Sequence, residues 1–318
     1  MATHVYQIPL RTRFRGITMR EGVVLSGDAG WGEFSPFLDY DGDEIRPWWQ
    51  AAREAADVGF PPPVRDRVPV NATVPAVGPH QAHQIVTESG CTTVKVKVAE
   101  PGQPFADDLA RVEAVRDALG PEGRVRVDAN GGWDVEQAVT NLRDLSRFDL
   151  EYAEQPVMDT EDLSRLRREL VRRGIAVPVA ADESIRRSGD PERVKRLEAA
   201  DVAVLKVQPL GGVRRCLQLA EDLAMPVVVS SALETSIGIR MGVALAAALP
   251  ELPHACGLNT MRLFTDDVVE DSLVAVDGHL PVADLRVAAS RLAACSAPVD
   301  RVEAWADRAA TAATGGAR

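Results

Sequence analysis

The sequence predicts an α/β protein: a (β/α)8-type (modified TIM) barrel with a small N-terminal α+β capping domain. Three observations carry that expectation. Short apolar runs alternate with helical patterns from about residue 68 to residue 259, the rhythm of repeated strand–helix units around a parallel sheet. Five charged residues, Lys97, Asp128, Glu154, Asp182 and Lys206, follow one another at gaps of 31, 26, 28 and 24 residues, and each closes one of the apolar runs. Ahead of residue 67 the rhythm differs, with alternating strand-like segments and one helical stretch. The expected division is 1–66 for the cap and 67–269 for the barrel, with about 270–318 packing back onto the cap.

In chain order, the cap reads as strands on either side of the turn Gly27-Asp28-Ala29-Gly30, then a helical stretch from Asp43 to Ala56. Barrel strands are expected at 68–76, 93–99, 124–130, 150–156, 177–184, 202–209, 226–233 and 255–259. Helices are expected at 79–89, Phe105 to Leu119, Val135 to Leu145, Thr160 to Arg173, Asp190 to Leu197, Val213 to Leu223 and Ser236 to Leu249. The Phe105 segment shows the logic: Leu109, Val112, Val115 and Leu119 recur every three or four residues, along one face of a helix. Asp134, Asp159, Asp190 and Ser236 suit N-caps, Pro191 a first helical position, and Gly120 and Gly174 helix ends. Beyond residue 259 come a hairpin at Asp277-Gly278, helices near 284–293 and 299–312, and an end expected to fray. A doubly wound sheet is the alternative, but no glycine-rich phosphate turn follows the first strand.

Composition narrows the function classes. No run reaches the roughly 18 apolar residues of a membrane span, and the start Met1-Ala2-Thr3-His4-Val5-Tyr6 lacks the apolar core of a signal peptide. Net charge is −11 without a basic tract, which argues against nucleic acid and anionic membrane as partners. Cys91, Cys216, Cys256 and Cys295 form no CxxC pair and suit a reducing cytoplasm. The expected partner is a small-molecule carboxylate. Oligomeric state is left open, with a monomer preferred.

Barrel enzymes place their chemistry at the carboxyl ends of the strands, and residues two apart on a strand share a face. Lys95 and Lys97 then point together into the barrel while Val94, Val96 and Val98 meet the helices; Arg126, Asp128 and Asn130 likewise share a face. Asp128, Glu154 and Asp182 come from three consecutive strands, so their carboxylates can converge. Like charges about 4 Å apart repel by about 4 kcal/mol at an effective dielectric near 20, so such a set protonates or binds a cation. Oxygen ligands without His or Cys favour Mg²⁺ or Mn²⁺. Lys97 and Lys206 flank the carboxylates on the strands before and after. A nearby cation, the Lys95 ammonium and burial all depress the pKa of Lys97, which makes it a base for a carbon acid beside a carboxylate.

The motifs Lys95-Val96-Lys97, Asp128-Ala129-Asn130, Glu154-Gln155-Pro156, Asp182-Glu183-Ser184 and Lys206-Val207 resemble those of the enolase superfamily, in its muconate-lactonising-enzyme-like branch. Gly30-Trp31-Gly32-Glu33-Phe34-Ser35-Pro36 looks like that superfamily's N-terminal capping domain, and the resemblance covers nearly the whole chain. It implies Asp128, Glu154 and Asp182 as Mg²⁺ ligands and Lys97 and Lys206 as an acid/base pair. Within the branch the likeness is nearest to the o-succinylbenzoate synthase family. That implies dehydration of 2-succinyl-6-hydroxy-2,4-cyclohexadiene-1-carboxylate in menaquinone biosynthesis. Lys97 would remove the α-proton and help expel hydroxide as water from the same face, while Lys206 holds the enediolate by its charge. The resemblance also sets Asn130, Ser230, Ser231, Gly257 and Leu258 against substrate.

Departures from the family pattern narrow the choice. The loop from Arg11 to Gly16 leaves little to close over a substrate. Gly257-Leu258-Asn259 lacks the Asp-x-Asp of dipeptide epimerases, and Val229-Ser230-Ser231-Ala232 lacks the His base of mandelate racemase relatives.

The residues leave alternatives open. Racemisation of N-succinylamino acids needs the same opposed lysines. A class I aldolase barrel would use a Schiff-base lysine, and a metal-dependent binding barrel would turn nothing over. Lys95 suits an ion pair with Asp128 or Glu154, and Arg126 an ion pair inside the barrel. Glu183 and Glu234 read either as partners orienting Lys97 or a ligand, or as plain salt bridges. Arg11, Arg13 and Arg15 alternate as on a solvated edge strand; contact with a succinyl carboxylate is the other option.

Overall fold

The computed structural model describes residues 3–187 and 189–314; the end expected to fray, from Gly315 to Arg318, falls outside them, as do Met1 and Ala2. The cap opens with an antiparallel sheet in the order β1 (Thr3–Phe14), β2 (Ile17–Gly27), β3 (Gly30–Phe34). Alternation sets its buried side: Tyr6, Ile8 and Leu10 of β1 are buried and their neighbours are not. The stretch read as a short loop from Arg11 to Gly16 is instead the end of β1 and a tight hairpin, with Phe14 paired to Ile17. Its two turn residues, Arg15 and Gly16, have φ of 51° and 78°, as a two-residue type I′ turn requires. Next comes α1 (Arg46–Arg53), which lies so close to β3 that a Cβ at Gly32 would stand 2.0 Å from the Ala52 carbonyl oxygen. Trp48 and Trp49 meet ring partners inside the cap, at Phe37 and Tyr40 for the first and Phe34 for the second.

The barrel follows as β4 (Arg67–Pro69), β5 (Ala72–Val74), α2 (Pro79–Ser89), β6 (Thr93–Lys97), α3 (Phe105–Leu119), β7 (Arg124–Asp128), α4 (Val135–Leu145), β8 (Leu150–Glu154), α5 (Thr160–Arg172) and β9 (Val179–Ala181). It continues with the single turns α6 (Glu183–Arg186) and α7 (Arg193–Arg196), then β10 (Val202–Leu205), the turn α8 (Val207–Leu210), α9 (Val213–Leu223), β11 (Val227–Val229) and α10 (Ser236–Ala248). Strands β5 to β11 form one parallel sheet in sequence order. The expected eighth strand at 255–259 is reduced to two parallel bridges, Ser230 with Gly257 and Val70 with Cys256, which close the ring. The chain ends with β12 (His279–Pro281), α11 (Ala289–Ala294) and α12 (Val299–Thr314).

Several boundaries differ from expectation, each for a local reason. The strand expected at 68–76 is two: β4 leaves the barrel to pair with β12, and β5 stays. Strands expected to reach Ser184 and Pro209 stop at Ala181 and Leu205, because the chain turns at once into α6 and α8. The helix expected from Asp190 shrinks to α7, with Pro191 in the turn before it. Thr235, not Ser236, caps α10: its hydroxyl accepts from the Ile237 N–H, while the Ser236 hydroxyl donates to Asp267 at 2.5 Å. Asp134 and Asp159 do cap α4 and α5.

Inside the barrel, a lower layer lies beneath the charged strand ends. Tyr152, Ala180, Val202, Val204 and Val228 pack as one small apolar cluster. Arg126 completes the layer beside Tyr152, its guanidinium 4.7 Å over the ring, and donates to Glu151, Asn71 and the Ala255 carbonyl. The seam between cap and barrel is polar. Glu33 of β3 accepts from Tyr6 and Ser35 on the cap side and from the Thr235 hydroxyl and the Gly238 N–H at the start of α10. The C-terminal helix packs back on the cap. Trp305 meets Phe34 edge-on at 6.0 Å, and Arg308 donates to the Phe37 and Tyr40 carbonyls.

Candidate active site

Strand parity brings the five charged residues to one end of the barrel. Lys97 and Asp128 pair in register across β6 and β7, and Asp128 pairs with Glu154 across β7 and β8. Asp182 and Lys206 sit one residue past β9 and β10. The Lys97 ammonium donates to Asp128 and to Asn130, both at 2.6 Å. Lys95 lies 3.1 Å from Asp128 and 3.0 Å from Glu154. Lys206 donates to Asp182 at 2.6 Å. All three carboxylates are buried.

The charges do not balance evenly. Asp128 faces Lys97 and Lys95, and Asp182 faces Arg186 and Lys206; although burial opposes it, these cations hold both acids below the usual carboxylate range. Glu154 has Lys95 as its ion-pair partner, and burial, reinforced by repulsion from Asp128, pushes it up to about 7. Burial presses the Lys97 ammonium below its ordinary value, with Lys95 adding to the effect and Asp128 opposing it.

Lys95, Lys97, Asn130, Lys206, Ser230, Ser231 and Gly257 line one cavity of about 30 Å³. The lining also includes Phe14, Arg15 and Phe37 from the cap, and Thr73, Ala232, Leu233 and Thr260 from the barrel. Asp128, Glu154 and Asp182 are not in that lining but stand behind it, against Lys95, Lys97 and Lys206. The other three expected residues lie further off. Leu258 points the other way along its strand, into the core against Gly242. Arg126 sits a layer below. Glu183 is behind Asp182, accepting from Arg186 and from the Asn130 amide. Arg186 went unread in the sequence although it is four residues after Asp182, a helical spacing that joins opposite charges. It is buried and donates to Asp182, Glu183 and the Tyr40 hydroxyl of the cap.

The donor chemistry suits a hard divalent cation: three buried carboxylates at the ends of adjacent strands, with a further buried carboxylate oxygen, Glu183 Oε2, that has no hydrogen-bond partner among the described residues. Among the described residues no three acidic, His or Cys side chains already stand as a metal cluster; Lys95 bridges two of the carboxylates and Lys206 holds the third.

Glu234 is a different case. It accepts from the Ala232 N–H and makes no salt bridge among the described residues, and burial, then the nearby charge of Glu33, pushes it up to about 7 against the opposing Arg20. A folded-state acid raised from 4.5 keeps its proton while the unfolded chain ionises, so stability falls as pH rises from about 4.5 to 7. Glu234→Gln keeps an acceptor for Ala232 without that charge. Urea titrations at pH 5 and pH 8 should show the variant about 3 kcal/mol more stable than the parent at pH 8 and within about 1 kcal/mol of it at pH 5.

Comparison with known proteins places this architecture. The chain matches the family described as enolase C-terminal domain-like over residues 79–286 and that described as enolase N-terminal domain-like over residues 5–56. It belongs to the enolase superfamily. It is 63% identical over 293 residues to o-succinylbenzoate synthase of Thermobifida fusca, covering 92% of this chain and 91% of that one. The same-named protein of Mycolicibacterium smegmatis is 52% identical over 307 residues, covering 96% and 93%. Within the superfamily the chain therefore belongs with the o-succinylbenzoate synthases, in the muconate-lactonising-enzyme-like branch. Among solved structures, N-succinyl Arg/Lys racemase from Bacillus cereus matches with a TM-score of 0.78 at 21% identity, covering 93% of this chain and 97% of that one. Muconate lactonizing enzyme from Pseudomonas putida matches with 0.75 at 21% identity, covering 93% and 98%. These two establish the fold alone. Divalent metal use is typical of the superfamily. Among the described residues no helix is long and apolar enough to cross a membrane.

Proposed function

We propose that this chain is a hydro-lyase converting 2-succinyl-6-hydroxy-2,4-cyclohexadiene-1-carboxylate to 2-succinylbenzoate, the o-succinylbenzoate synthase step of menaquinone biosynthesis. The observation that carries the reading is the pair Lys97 and Lys206 lining one cavity above three buried carboxylates. Asp128, Glu154 and Asp182 would hold a divalent cation, Mg²⁺ with Mn²⁺ as a substitute, which when bound supplies Lewis-acid stabilisation to a substrate carboxylate.

The chain's own residues do the rest. Neutral Lys97 takes the proton from the carbon beside the ring carboxylate, leaving an enediolate. Asn130, which accepts from Lys97 at 2.6 Å, holds the amine in place. Lys206 presents its charge to the enediolate from the other side of the carboxylates. Lys97 then returns its proton to the departing hydroxyl on the same face, so one C–H and one C–O bond break, a C=C bond forms and water leaves. Lys95 neutralises Glu154 and Asp128, and Ser230, Ser231 and Gly257 shape the cavity wall. The reading includes a cap at 1–66 over a barrel at 67–269, a monomer, and a cytoplasmic location, the last supported by four free buried cysteines.

The purified chain with Mg²⁺, given the hydroxycyclohexadiene in D₂O, should yield the aromatic product. Given N-succinylamino acids, it should exchange their α-hydrogen far more slowly. Fast exchange without dehydration would overturn the reading in favour of a racemase. Asp182→Asn should weaken Mg²⁺ binding at least about tenfold by calorimetry; unchanged affinity would place the cation elsewhere.

A further inference from the structure

We propose that Arg15, at the apex of the β1–β2 hairpin, receives the carboxylate at the far end of the substrate's side chain and so selects dicarboxylates. This deepens the proposed reaction and rests on it. That substrate carries two carboxylates, one on the ring and one ending the succinyl arm. The first belongs beside the acidic triad. The second needs its own partner, because an anion enclosed without one is strongly disfavoured.

Four cations line the cavity: Lys95, Lys97, Lys206 and Arg15. The three lysines each stand within 3.1 Å of a carboxylate. Arg15 has no carboxylate partner among the described residues; its guanidinium lies 4.6 Å over the Phe37 ring, a stack that leaves its edge donors free. Arg20 also lies over Phe37, at 4.4 Å, but its donors are taken by the Leu233, Glu21 and Ser35 carbonyls.

Space leads to the same residue. A cavity of about 30 Å³ matches a single water's share of liquid volume, so a ring with a four-carbon arm must extend beyond it. Arg15 and Phe37 line both that cavity and a surface groove of about 540 Å³, and so form the wall between them. An arm leaving the cavity on this side passes the guanidinium.

The backbone adds an independent sign. Position 15 has a φ of 51°, where a two-residue hairpin favours Asn, Asp or Gly. An arginine there is poorly matched to the turn. What it adds is a cation at the boundary of the site.

The test uses the purified full chain with Mg²⁺. It compares the diacid substrate with an analogue whose arm ends in a primary amide, and 2-succinylbenzoate with its arm amide for calorimetric binding. Arg15→Asn suits the turn, so folding should be preserved. It should raise KM for the diacid about 30-fold with kcat changed less than about threefold, and abolish the preference for acid over amide in both turnover and binding. Arg15→Lys should recover part of that preference, since it restores charge without the planar fork. An Arg15→Asn variant that keeps the parent's preference would overturn the proposal. So would loss of preference on Arg11→Asn instead, which would send the arm past Thr73 into the larger groove of about 610 Å³ that Arg11 lines. Failure of the parent chain to dehydrate the diacid would count against the reaction itself, and the binding comparison would still decide Arg15.

Discussion

Lys97→Ala should lower kcat/KM for dehydration by about 10⁴-fold, the upper range for losing a positioned general base. The expectation follows from geometry. Lys97 sits in the cavity, held between Asp128 and Asn130, and is the amine that burial presses toward the neutral form. The variant should still bind Mg²⁺, because Asp128 keeps Lys95 as a partner and no carboxylate is removed. Kinetics and metal calorimetry on the same preparation separate the two roles. Substantial residual activity would assign proton removal to another group, with Lys206 the next candidate. A variant that had lost metal as well would show that Lys97 organises the acids rather than serving as the base.

Glu33→Ala should lower global stability by about 3–4 kcal/mol, the range for stripping a buried, charged acceptor from several donors. Glu33 is fully buried and joins two bodies. Tyr6 and Ser35 donate to it from the cap at 2.8 and 2.7 Å, and the Thr235 hydroxyl and Gly238 N–H donate at 2.5 and 3.0 Å from the start of α10. The carboxylate thus serves as a helix N-terminal anion supplied from another domain. Urea unfolding should show the loss, with Glu33→Gln much milder because an acceptor remains. If Glu33→Ala costs under about 1 kcal/mol, the seam is held by its apolar contacts instead.

The strand ends were the most legible part of this chain, because period-two alternation fixes facing without any knowledge of neighbours. Lys95 and Lys97 line the cavity while Val94, Val96 and Val98 sit in the core, as parity requires. The same rule explains why Leu258 lies in the core although Gly257 beside it lines the cavity. Helices with a clear apolar stripe, such as α4 and α9, begin and end where the sequence indicates, and so does α3 although its buried face also carries Asp108 and Arg111. Strand lengths were overread at Asp182-Glu183-Ser184 and at Lys206-Val207-Gln208-Pro209, because the apolar runs that end at Ala181 and Leu205 do not themselves mark where a strand gives way to one helical turn. Phe14 and Phe37 were hidden for a different reason, and Arg15 was read first as part of a solvated edge strand, with contact to a succinyl carboxylate as the other option. They reach the site from a separate domain, through a hairpin whose tightness depends on Arg15 adopting a conformation its type disfavours. Thr73, on β5, and Thr260, just past the ring-closing bridges, line the same cavity but carry no charge to single them out in the sequence.

The first sheet is completed by the last helix. Trp305 packs on Phe34 and donates from its indole to Glu21, and Arg308 ties the Phe37 and Tyr40 carbonyls. On the ribosome, β1 to β3 and α1 therefore emerge well before α12, and Phe34 has Trp49 as its ring partner but not Trp305 until α12 clears the exit tunnel. A message broken just upstream of Val299 would yield a nearly full-length polypeptide whose opening sheet never acquires the Trp305 and Arg308 contacts, a natural client for chaperones and proteases.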